Sequence, residues 1–198
     1  MIVSALALAA ALAIQAAPPS DVRAVIHTSA GDITVALDPV HAPVTTCNFL
    51  RYVQAEAYDG GSVFRTVVAA TNDNPHPIDV IQAATRGGSD DPGLGPIPLE
   101  RTRDTGLSHV AGAISMARDG PDTATSSFFI VTRDSTALDF GGGRNPDGQG
   151  FAAFGHVVSG MDVVLAIQSG PAVDEQLTSP AAITGVDLLD DVPAVCRR

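Results

Sequence analysis

The stretch Gly112-Ala-Ile-Ser-Met-Ala-Arg118-Asp-Gly-Pro-Asp-Thr-Ala-Thr-Ser126-Ser-Phe-Phe-Ile-Val-Thr132 decides how the rest of the chain is read. It holds two short runs of alternating apolar residues, the period-two signature of strands that bury one face. In the first run Ile114 and Met116 point one way, Ser115 and Ala117 the other. In the second, Phe128 and Ile130 oppose Ser127, Phe129 and Val131. The polar Gly-Pro-Asp-Thr segment between them reads as a turn. The pair Phe128-Phe129 is the most informative. Neighbours on a strand cannot share a face, so one ring fills a core. The other either lies under a loop or lines an apolar pocket outside the sheet.

Working outward toward the N-terminus, Ser62–Val67 reads as a strand with Val63, Arg65 and Val67 on one face and Phe64 and Thr66 on the other. A second short strand, Asp79–Gln82, puts Val80 and Gln82 on one face and Ile81 on the opposite one. Taken by parity, Arg65, Gln82, Ala117, Ser127 and Phe129 all lie opposite the core-like Phe64, Ile81, Met116, Phe128 and Ile130. Alternation therefore allows these five residues to share one outer groove. Earlier still, Val22–Asp38 reads as a hairpin turning at Ser29–Asp32. A helix then starts at Pro43, a residue suited to the first helical turn, with Val44, Cys47, Leu50 and Val53 as its apolar stripe.

Toward the C-terminus, Gly141–Gly150 is a glycine-rich loop without the lysine of a phosphate cradle or the repeated carboxylates of a calcium loop. It reads as a surface loop. Phe151–Val157 is a further strand and Ser159–Gln168 a second helix, stopped by Gly170-Pro171. Ala181–Leu188 is the last strand. The acidic 187–191 stretch and the tail to Arg198 are expected to fray.

Composition narrows the chemistry. The chain has 198 residues, enough for one domain with a substantial core, and a formal net charge of -11. No basic stripe offsets that charge, so a nucleic-acid partner is not expected. There is no lysine, which removes Schiff-base chemistry. Histidines 27, 41, 76, 109 and 156 lack metal-site spacing and read as surface or turn residues, so neither a metal nor a cofactor is expected. Cys47 reads as a small core residue of the helix and Cys196 as a free thiol; a disulfide between them is the alternative that export would permit. Met1–Ala17 is almost wholly apolar and shorter than the ~18–20 residues of a membrane span. With Ile14-Gln15-Ala16 as a cleavage site it reads as an export signal, although it lacks a leading positive charge, and an uncleaved anchor is the alternative. The resulting organisation is a signal peptide at 1–17, a single domain at 20–190 and a tail at 191–198, with a periplasmic or secreted location.

The ordered pattern Ile-Ser-Met-Ala, Gly-Pro-Asp-Thr, Ser-Ser-Phe-Phe-Ile closely resembles the core motif of the cyclophilins, the cyclophilin-type peptidyl-prolyl cis–trans isomerases. The resemblance runs from about Val22 to about Asp187. It includes Ala-Pro-Val-Thr-Thr-Cys-Asn-Phe-Leu in the first helix, Tyr58-Asp-Gly before the first groove strand, and Phe-Gly-x-Val at 154–157. It implies a mainly β fold, a closed antiparallel eight-stranded barrel capped by two α-helices. It implies catalysis of rotation about X–Pro bonds in proline-containing polypeptides, with Arg65, Gln82 and Phe129 as the catalytic set. Val80, Ala117, Arg118, Ser127, Leu138 and Phe151 would bind the substrate, Arg118 through its backbone. The chain departs from the family pattern in several places. Phe64 precedes Arg65 where histidine is common, and Ala83-Ala84 replaces a Gly-Gly pair. Ser127 stands for a usual glutamine, Ala137 for a frequent tryptophan, and Phe151 near the family's pocket histidine. The loss of contact area at Ala137 predicts weak binding of cyclosporin. A monomer is expected. A catalytically weak module that binds proline-containing chains without efficient turnover is the alternative reading.

Overall fold

The computed structural model describes residues 21–89 and 93–197. Its strands are β1 (Val22–Thr28), β2 (Gly31–Leu37), β3 (Ser62–Val67), β4 (Val80–Ala84), β5 (Ala113–Met116), β6 (Phe128–Val131), β7 (Ala152–Ser159), β8 (Ala172–Val173) and β9 (Gln176–Leu188). The helices are α1 (Pro43–Gln54), the single turn α2 (Thr102–Thr105) and α3 (Met161–Gln168). The strands run in the order β1-β2-β7-β5-β6-β4-β3-β9, and β9 pairs back onto β1. Eight antiparallel strands thus close into a barrel and leave no free edge. Strand β8 is an addition, a hairpin arm on the start of β9. The last strand therefore begins five residues before the expected Ala181, and α3 begins two residues after Ser159.

Alternation sorts side chains to the two sides of the barrel wall. Ile81, Met116, Phe128 and Ile130 join Phe49, Leu50, Tyr52 and Val53 of α1 and Val164 and Ile167 of α3 in the interior core. Val67, Val80, Phe129, Val131 and Leu138 form a second, separate apolar cluster on the outer face. The inward face of α1 is thus centred on Phe49–Val53 rather than on the stripe that starts at Val44, which is 39% exposed. The first turn of α1 lacks a side-chain cap of its own. The carboxylate of Glu100 accepts from the backbone N–H groups of Val44 and Thr45 (3.0 and 2.8 Å) and does that work from a distant segment.

Strand β3 departs from simple alternation. Val63 pairs with Ala83 but Arg65 pairs with Gln82, so Phe64 is an extra residue in a β-bulge. The bulge sends Val63 into the core while Arg65 and Val67 stay on the outer face. Phe64, expected inside, is half-exposed instead. The cysteines also correct the reading made above. Cys47 and Cys196 form a disulfide across 149 residues, which closes most of the chain into one loop. In the chain-entropy picture a loop of that length destabilises the unfolded state by about 5 kcal/mol. The C-terminal residues are correspondingly tied down. Asp190 takes a two-pronged hydrogen bond from Arg23, and Arg197 Nε donates to the Val192 carbonyl (2.7 Å). The apolar 1–17 stretch lies outside the described residues.

Candidate active site

A cleft of ≈ 520 Å³ opens on the outer face of the barrel. Cross-strand register builds its floor. Arg65 faces Gln82, Gln82 faces Phe129 and Phe129 faces Ser115, one row of partners across β3, β4, β6 and β5. Neighbouring strands lie ~4.8 Å apart, so the Arg65 and Phe129 backbones are separated by about 10 Å, the span of about three extended residues. All nine residues named from the sequence line this cleft: Arg65, Val80, Gln82, Ala117, Arg118, Ser127, Phe129, Leu138 and Phe151.

The apolar end is a braced pocket. The Phe129 ring meets Phe151 edge-on, with centroids 5.5 Å apart at 88°, and lies nearly parallel to His109 at 5.9 Å. His109 is completely buried, contrary to its reading as a surface or turn residue. Its Nδ1 lies 2.7 Å from Asp139 Oδ1 and its Nε2 lies 2.9 Å from Ser115 Oγ. The carboxylate can only accept, so Nδ1 is the donor on that side. Partial burial pushes the Asp139 carboxyl upward, but hydrogen bonds from His109 and Ser108 outweigh it and hold the group below its ordinary value. His109 thus serves as a rigid back wall for Phe129.

The polar end is a chain of hydrogen bonds. Arg65 Nη1 donates to Gln82 Oε1 (2.8 Å), Gln82 Nε2 donates to Ser127 Oγ (3.1 Å), and Ser127 Oγ donates to the Ala83 carbonyl (2.8 Å). Ser127 is thereby the stop that orients Gln82, and Gln82 holds Arg65. The alanines at 83 and 84 continue β4 without disturbing this geometry. On its other edge Arg65 donates through Nε and Nη2 to Glu175 Oε2, and Asn72 Nδ2 donates to Glu175 Oε1. Glu175 is absent from the sequence reading. It sits in the two-residue turn between β8 and β9, where Asp174 and Glu175 both have positive φ (49° and 65°). Two consecutive left-handed residues are what a tight hairpin requires, and for a glutamate that costs roughly 1–2 kcal/mol. A guanidinium has five N–H donors. Three are engaged by described residues, leaving one on Nη1 and one on Nη2 without a described partner, and the side chain is 32% exposed.

Arg118 behaves differently from the expectation that only its backbone matters. Its side chain is 1% exposed and forms a two-pronged pair with Asp147 (2.7 and 2.9 Å) while donating to the Gly150 carbonyl. Its guanidinium also lies 5.0 Å from the Phe151 ring centroid. It therefore pins the 141–150 loop and the Phe151 wall of the pocket. That loop, read above as plain surface, contributes Arg144 to the cleft.

The family described as "Cyclophilin type peptidyl-prolyl cis-trans isomerase/CLD" matches residues 23–188. The chain is 36% identical over 150 residues to peptidyl-prolyl cis-trans isomerase A of Dickeya dadantii (strain 3937), covering 74% of this chain and 71% of that protein. It is 34% identical over 146 residues to peptidyl-prolyl cis-trans isomerase cyp18 of Streptomyces antibioticus, covering 72% and 81%. Among solved structures, a cyclophilin type peptidyl-prolyl cis-trans isomerase of Cryptosporidium parvum superposes with a TM-score of 0.71 at 19% identity, covering 87% of this chain and 99% of that one. The same protein crystallised in the presence of the dipeptide Ala-Pro gives 0.70. With barrel, outer groove and family match in agreement, the chain belongs to the cyclophilin-type peptidyl-prolyl cis–trans isomerases.

Proposed function

We propose that the cleft binds X–Pro segments of exported polypeptides and that Arg65 accelerates their isomerisation. The observation that carries this reading is a cation with two N–H groups unengaged by any described residue, in register with an apolar pocket. Twisting an amide out of plane costs ~18–20 kcal/mol of lost resonance. At the top of that barrier the prolyl nitrogen pyramidalises and its lone pair becomes available. A guanidinium donor aimed at that lone pair binds the twisted form better than the planar one, which is the requirement for catalysis. Phe129, Val80, Leu138 and Phe151 hold the proline ring, and Gln82 holds Arg65. Ala117 and Ser127 shape the groove between them. No covalent bond changes hands, so the scheme needs no nucleophile.

The direct test is an NMR-exchange or protease-coupled assay of an Ala-Pro peptide with the chain beginning at Ala17. Catalysed exchange is expected. Binding without acceleration would favour the second reading, a proline-chain holding module, for which the engagement of Arg65 by Glu175 is the specific support. The apolar N-terminus and a disulfide that fits an oxidising compartment support export. N-terminal sequencing of the protein recovered from the periplasm should begin near Ala17; a full-length cytoplasmic product overturns that part. The small Ala137 at the pocket rim gives cyclosporin little surface, so its dissociation constant should exceed a micromolar. Sedimentation should return a monomer.

A further inference from the structure

Three arginines line the cleft of a protein whose net charge is -11, and they are not equivalent. Arg65 is paired with Glu175 and Arg118 with Asp147. Arg144 is in no ion pair with any described residue; its Nη1 donates only to neutral acceptors, Asn72 Oδ1 (3.0 Å) and the His76 carbonyl (3.4 Å). It is nevertheless held in place. The Arg144 backbone N–H donates to the Ala137 carbonyl (3.1 Å), and the two preceding glycines permit that approach. A Cβ on Gly142 would lie 2.4 Å from the Ala137 oxygen, and one on Gly143 would lie 2.2 Å from His76 Nε2. Arg118 clamps the far end of the same loop. Burial and the like charge of Arg65 push the Arg144 guanidinium below its ordinary value, while Glu175 acts in the opposite sense. Asp119, which also lines the cleft, makes no ion pair with it. Among the described residues, Glu175 is the carboxylate at this end; it pairs with Arg65 and reaches Arg144 only through Asn72.

Resting on the reading of the cleft as a prolyl-peptide site, we infer that Arg144 is a carboxylate subsite that makes the enzyme select X–Pro segments carrying an aspartate or glutamate beside the prolyl bond. An ordered guanidinium with its remaining donors unspent takes a carboxylate in a charge-assisted hydrogen bond. Such a contact at a partly exposed site is worth about a tenfold change in affinity.

The test is a set of Ala-Pro peptides in which each of two residues on either side of the prolyl bond is made Glu or, as its uncharged match, Gln. Equilibrium binding is read by peptide NMR shifts, so the outcome does not depend on turnover. A failed isomerase assay thus remains distinguishable from a failed subsite. At one position or more the wild type should bind the Glu peptide about tenfold tighter than the Gln peptide. The ratio should shrink as salt rises, and should fall to near one in Arg144→Gln while surviving in Arg51→Gln, on helix α1 outside the cleft. A Glu-to-Gln ratio near one at every position overturns the inference. So does a preference that persists in Arg144→Gln, which would assign it to another cation.

Discussion

Arg65 and Arg118 lie in the same cleft and each grips a carboxylate, yet the environments make them different tools. Arg118 has its guanidinium sealed at 1% exposure, bonded to Asp147 and the Gly150 carbonyl and set against Phe151. Its hydrogen bonds are spent on the protein. Arg65 is held on two edges but remains a third exposed, with two donors unspent. The lesson is that an arginine's function is set by the donors it has left over.

The largest break in that comparison should come from Arg65→Ala. Loss of the donor to the prolyl nitrogen is expected to reduce kcat/KM about a hundredfold, or ~2.7 kcal/mol. The melting temperature should hold within a few degrees, because the lost ion pair is partly exposed. Unaltered turnover would remove Arg65 from the mechanism. Arg118→Ala should do the reverse. It strands the Gly150 carbonyl and frees the loop, at a cost of about 2 kcal/mol, discounted for the partial exposure of Asp147. That corresponds to a fall of roughly 4–8 °C in Tm, with kcat/KM down only about fivefold through a slackened Phe151. Equal losses of activity in the two variants would erase the distinction.

A smaller effect is expected from Glu175→Gln, which keeps the shape of the turn residue but removes the charge that steadies Arg65. A two- to fourfold drop in kcat/KM, with KM nearly constant, would mark Glu175 as a positioning residue. A rise in activity would mean that it competes with the substrate. The slightest effect is on acid stability. The hydrogen bonds from Arg118 hold Asp147 below its ordinary value, and Arg23 takes Asp190 down to about 2. A carboxyl with a depressed folded pKa stabilises the fold above its unfolded value near 4, and that contribution is lost as pH falls through the folded value. From these two carboxyls Tm should be level above about pH 5 and decline between about pH 4 and 2, while His27, held above its ordinary value by its hydrogen bond to Asp32, adds a small loss as pH rises through its folded value. Asp147→Asn should flatten part of the decline while lowering Tm at neutral pH.

Much of this was readable before the structure. The parity of Phe128 and Phe129, and of Ile81 and Gln82, predicts which side of the wall each takes, and the structure places them there. What parity missed has a common origin. The bulge at Phe64 is a pairing decision between β3 and β4, invisible in β3 alone. His109 looks like any loop histidine until Asp139, 30 residues on, meets its ring. Glu175 carried one weak signal, its place in a two-residue acidic turn, Asp174-Glu175, between Val173 and Gln176.

Side-chain alternation and local turn chemistry act over a few residues, so the strands of the outer groove, its apolar floor and the cation set into it could be read from the amino acids alone. Which carboxylate steadies Arg65, which cleft arginine has none among the described residues, and the meeting of Cys47 with Cys196 came from the fold. Those are contacts across 110 and 149 residues. Barrel closure brings such partners together, and no local pattern encodes which ones will meet.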